Sequence, residues 1–84
     1  MPTLSRFDGI VIKMYFLGAE HNPPHIHAIY AEDSAAVEIN TGVILEGRLP
    51  EKVIKSVREW VDDNKEALLE MWESQVFKKL PPLE

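Results

Sequence analysis

Residues 50–76 read PEKVIKSVREWVDDNKEALLEMWESQV, and the spacing of their apolar side chains decides how the chain folds. At about 100° per residue, Val53, Ile54, Val57, Trp60, Val61, Leu68, Met71 and Trp72 fall in one stripe, with charged residues opposite. Pro50 suits a first helical turn, and Glu51 sits beside the positive end of the helix dipole. No Gly or Pro interrupts residues 51–79. The pattern predicts one continuous amphipathic helix from about Pro50 to about Val76. Asn64 is the one polar residue at the centre of the stripe, and a bend near Asp62 to Asn64 is the competing reading.

Upstream of Pro50 the period is two. Ile10, Ile12, Met14 and Phe16 alternate with Val11, Lys13 and Tyr15, a pattern of half-buried strand. Leu17 to Pro24 reads as a loop stiffened by Pro23 and Pro24. A second run, His25 to Ala31, puts Ile26, Ala28 and Tyr30 on one face and His25, His27 and Ile29 on the other. Glu32-Asp33-Ser34 is read as a turn; Ala35, Val37 and Ile39 then alternate with Ala36, Glu38 and Asn40. Asn40-Thr41-Gly42 forms the next turn, and Val43 to Glu46 a last short strand. The expected fold is α+β and a single domain over residues 1–84. An antiparallel meander of three to four strands (about residues 6–46) precedes one long amphipathic helix (about 50–76), packed on one sheet face.

A straight helix of that length spans roughly 40 Å, while strands of six or seven residues span about 20 Å. One sheet covers about half of such a rod, leaving apolar side chains to another surface. That mismatch predicts a homodimer, with Trp60, Leu68, Met71 and Trp72 as candidate interface residues. Lys79 to Glu84 cannot continue the helix; the segment is expected to trail loosely or to dock on a neighbour through Leu80 and Leu83.

Composition narrows the chemistry. The chain has no cysteine, which excludes disulfides, thiolate nucleophiles and Cys-ligated zinc or iron–sulfur sites. A net charge of −5 opposes a general phosphate-binding surface, so nucleic acid is an unfavoured partner. The cations Lys52, Lys55 and Arg58 are interleaved with Glu51, Glu59, Asp62 and Asp63, and Lys78 and Lys79 form only a short pair. The first ten residues lack a signal-peptide pattern, and no apolar run approaches a membrane span. The expected compartment is the cytoplasm, with no membrane association.

All three histidines lie within His21-Asn22-Pro23-Pro24-His25-Ile26-His27. Two apart on a strand, His25 and His27 emerge on one face, and paired strand imidazoles are a known way to present two nitrogens to a divalent metal. His21 would give a third ligand and Glu20 a carboxylate. If the hairpin centres near Asp33-Ser34, His27 lies opposite Glu38 or Asn40, and an acid there orients an imidazole. The structural reading is equally open: polar surface, or side chains that lock a loop. No nucleophile elbow, phosphate loop or helical zinc-protease motif is present, and Ser5, Ser34, Ser56 and Ser74 have no signature of activation.

Phe7-x-Gly9-Ile10-x-Ile12-x-Met14-Tyr15-Phe16 and His21-x-Pro23-Pro24-His25-x-His27-Ala28-x-Tyr30 together resemble the bacterial domain-of-unknown-function 4160 family. Leu45-x-Gly47-x-Leu49-Pro50, Glu59-Trp60 and Trp72 carry the resemblance further. The departures fall in the helix, where Asn64, Ala67 and Met71 stand in place of the family's His, Glu and Asn. The resemblance implies small bacterial proteins encoded beside another short protein, an arrangement similar to toxin–antitoxin pairs. Two readings of function follow. One is a protein-interaction module; the other is a metal-binding protein or small metal-dependent hydrolase built on His21, His25 and His27 with Glu20 or Glu38.

Overall fold

A computed structural model describes residues 3–14 and 23–83. Its elements are β1 (Thr3–Phe7), β2 (Ile10–Lys13), β3 (His25–Tyr30), β4 (Asp33–Glu38), β5 (Ile44–Gly47), α1 (Glu51–Asp63) and α2 (Lys65–Ser74). The strands form one antiparallel sheet in the order β1-β2-β3-β4-β5, a meander as expected. Among the described residues, no helix is long and apolar enough to cross a membrane.

The sheet has one strand more than the alternation indicates. Asp8 and Gly9 have φ of 49° and 78°, the pair of left-handed residues that a two-residue hairpin with matching twist requires. They fold Phe7 back against Ile10 and create β1. A register shift between Thr3 and Ser5 buries both Leu4 and Ser5, so β1 shows no clean period of two.

The β3–β4 turn also sits elsewhere than expected. Tyr30 pairs with Asp33, so the turn is Ala31–Glu32, with Ala31 at φ 53°. Alanine carries no turn signature and pays for its left-handed backbone, which is why the sequence points to the polar Glu32-Asp33-Ser34 instead. Gly47 closes the far edge of the sheet at φ +81°; a Cβ there would collide with the Ser34 carbonyl, which accepts a hydrogen bond from the Arg48 amide at 3.0 Å.

The expected single helix is two helices. Asn64, at φ −115° and ψ 15°, separates α1 from α2. Its amide is shared between the Trp60 and Val61 carbonyls (3.1 and 3.2 Å), and its side-chain amide donates to Trp60 O at 2.9 Å. The longest dimension of the molecule is 30 Å, too short for the straight rod. Magnitudes account for the break. Interrupting the helix forfeits one or two backbone hydrogen bonds at about 0.5–1.5 kcal/mol each. Turning Leu68 and Met71 onto the core buries them completely, at about 1.5–3 kcal/mol apiece.

The argument for a second copy therefore loses its premise. The apolar surface left over by a straight rod is covered within the chain, where Trp60, Leu68 and Met71 join Ile12, Ile26 and Val37 in one core. The C-terminal segment, expected to trail loosely or to dock on a neighbour, packs against the same core within the chain. Gln75 ends α2 in the left-handed conformation at φ 59°. Leu80 N then donates to Leu4 O at 2.7 Å, Trp60 Nε1 donates to Pro81 O at 2.8 Å, and Leu80 and Leu83 lie half-buried against the core.

Leu68→Ala is expected to lower stability by about 2–5 kcal/mol in chemical denaturation, with a midpoint independent of protein concentration, because its cavity lies inside one chain. Ser5 should behave in the opposite way: its Oγ is the one buried side-chain polar atom without a partner among the described residues. Ser5→Ala is expected to be neutral or to stabilise by up to about 1 kcal/mol, and a loss above that range refutes the assignment of an orphaned hydroxyl.

Candidate functional site

The site is assembled at the end of the sheet where β3 begins. Pro24 O accepts from Ile39 N at 2.9 Å, which continues the β3–β4 ladder one step past the strand. The next pair, His25 and Glu38, is consequently of the non-hydrogen-bonded type, whose side chains stand closest together. Pro23 O accepts from His25 Nδ1 at 2.9 Å. With Nδ1 donating, Nε2 carries the free lone pair.

His25 and His27 share a side of β3, as the alternation requires, and their rings meet edge to face with centroids 5.1 Å apart. A third ring arrives from α2. The bend at Asn64 carries this helix over the sheet end, where Lys65 Nζ donates to Asn40 O at 3.2 Å. There the half-buried Trp72 packs on His25 with centroids 4.9 Å apart and planes at 56°. His25 thus stands between His27 and Trp72.

The turn at Ala31–Glu32 sets which residues face the imidazoles. His27 lies opposite Ala36 on β4 and Lys13 on β2, and the acid Glu38 faces His25. This corrects the expected pairing of His27 with Glu38 or Asn40, which rested on a hairpin centred two residues later. His21 and Glu20 lie outside the described residues. Among the described residues, no group of three or more His, Asp or Glu side chains is arranged to hold a metal ion.

Of the four candidate interface residues, Trp60, Leu68 and Met71 are buried in the core, and only Trp72 reaches the site. Sequence reasoning missed Trp72 as a neighbour of the histidines, because a straight helix carries it away from them. It also passed over Val11 and Ile29. These face each other across β2 and β3 on the same side as Lys13 and the histidines, half-buried and outside the core cluster. The alternation already placed them there.

The architecture defines a class: a small α+β protein with an antiparallel meander, helices against one face, and a histidine-bearing strand opening at the sheet's end. The chain belongs to the family described as Domain of unknown function (DUF4160), whose model matches residues 9–73, more than half of its length. No curated protein and no solved structure matches it.

The His25–Trp72 contact is expected to stabilise the fold modestly. His25→Ala should cost about 0.5–1.5 kcal/mol in the wild-type background and markedly less when Trp72 is already alanine. Equal losses in both backgrounds would show that the rings do not interact.

Proposed function

We propose that the chain is a protein-interaction module whose working surface is the sheet face opposite the core, bounded at His25 by Trp72 of α2. The observation that supports this reading most is the composition of that face. Val11 and Ile29 form an apolar pair that the core cluster does not absorb. Arg6 and Ser34 flank it across the sheet, and Lys13 with His27 and then His25 with Glu38 form the next rows towards the start of β3. An apolar centre with a polar surround is the anatomy of a protein-binding patch. The net charge of −5 favours a protein partner over nucleic acid. The partner this reading names is the product of an adjacent gene, in the manner of a toxin–antitoxin pair.

A second reading keeps the imidazoles as ligands of a divalent metal. The observation in its favour is the hydrogen bond from His25 Nδ1 to Pro23 O, which leaves Nε2 in the lone-pair form that a metal takes. In that reading His21 and Glu20 complete the ligand set, with Glu38 beside His25.

Two measurements separate the readings. In co-purification with the adjacent gene product, wild-type protein is expected to retain the partner, and the double variant Val11→Asp, Ile29→Asp to lose it while keeping its helical circular dichroism. Failure of the wild-type protein to retain that partner sinks the interaction reading. For the metal reading, titration of tag-free protein with zinc, nickel or manganese should shift the ring resonances of His25 and His27 at neutral pH. Unmoved resonances remove it.

A further inference from the structure

The two edges of the sheet are finished differently. On β1, the outward Leu4 carbonyl already accepts a hydrogen bond from Leu80 of the C-terminal segment at 2.7 Å, so the chain covers this edge itself. On β5, bonding to β4 uses the Val43 carbonyl (Glu38 N at 2.9 Å) and the Arg48 amide (to Ser34 O at 3.0 Å). A register shift opposite Ala36 and Val37 makes Leu45 an extra residue in β5, and on either side of it the alternation turns the main-chain groups of Ile44 and Gly47 away from β4.

The same edge gathers the apolar exposure of the molecule. Among the described residues three large hydrophobics are exposed, and two of them, Val43 at 49% and Leu45 at 41%, flank Ile44 on this edge. Single exposed hydrophobics are ordinary. Two together on an unpaired edge are what sheet proteins otherwise avoid, because such an edge is a template for another strand. The acids Glu38 and Glu46 lie on the same side of the sheet, Glu38 opposite Val43 and Glu46 opposite Ala36. Two cations lie nearby: Arg58 Nε is tied to Gly42 O at 2.8 Å beside Val43, and Arg48 is largely exposed with a long 3.8 Å contact to Asp33.

We infer that β5 is a docking edge for one extended segment of a partner protein, alternating apolar and basic residues, which joins the sheet as a sixth strand. The inference rests on the interaction-module reading and specifies the mode of binding. Main-chain bonds to Ile44 and Gly47 supply register, apolar side chains cover Val43 and Leu45, and the basic ones pair with Glu38 and Glu46. A second copy of this chain is the poorer occupant. It brings the same two carboxylates and another net charge of −5, so its approach meets repulsion where the basic segment meets attraction.

The test uses the full chain and an end-capped eight-residue peptide of alternating valine and lysine, with glutamate replacing lysine in a control peptide. The lysine peptide is expected to shift the Ile44 and Gly47 amide resonances and to bind at least about tenfold more tightly than the control. Leu45→Lys should weaken binding by about tenfold or more with an unchanged denaturation midpoint, whereas Glu70→Lys, a larger positive charge change on exposed α2, should leave it within about twofold. The inference is overturned if the lysine peptide does not bind, if both lysine variants weaken it equally, or if the wild-type protein dimerises in sedimentation and Leu45→Lys does not. If the adjacent gene product is retained by Leu45→Lys but lost from the Val11→Asp, Ile29→Asp variant, the edge fails while the interaction reading stands.

Discussion

Trp60 is where the separate parts of this molecule are fastened together. Its ring is fully buried and stacks on Phe7 of β1 at 5.9 Å, and its indole N–H holds the C-terminal segment through the Pro81 carbonyl. Its own carbonyl takes both the backbone and the side-chain amide of Asn64, fixing the point at which the helix bends. A large apolar ring must leave water, and its one polar atom must then find an acceptor. Satisfying both requirements at one position commits the chain to an added edge strand, a broken helix and a docked C-terminal segment.

Much of this was legible before any coordinates. The alternation in β2, β3 and β4 put Ile12, Ile26 and Val37 inward and His25 and His27 together on the other face, where the structure has them. The bend near Asp62 to Asn64 stood in the sequence only as the competing reading, because tertiary balance decides it. Asn64 is compatible with a helix, so nothing local forces a break; the gain from burying Leu68 and Met71 against the same sheet decides it. Asp8-Gly9 was a hairpin signal in plain sight, masked because the bulge beside Leu4 removed the period of its strand. Ala31 gave no signal at all, and the register of the histidine ribbon hung on it.

The proposed surfaces follow from how the sheet uses its faces and edges. One face is filled by the helices and one edge by the chain's own C-terminal segment, both anchored at Trp60. The opposite face keeps Val11 and Ile29 half-buried, the β5 edge exposes Val43 and Leu45, and Glu38 borders both. The histidines stand at the corner, with His25 held by Pro23 and braced by Trp72.

The two-residue connection at Ala31–Glu32 holds the histidine strand in register with β4. Because side chains on a strand alternate, an added residue taken up by β4, with the loop kept at two residues, would drive Glu38 inward and Val37 into water. A three-residue loop would instead leave the pairing as it is. Adding two to β4 would preserve sidedness and merely slide the row, trading the His25–Glu38 pairing for another. The pleat thus requires any added residue to stay in the loop, whatever chemistry the imidazoles serve.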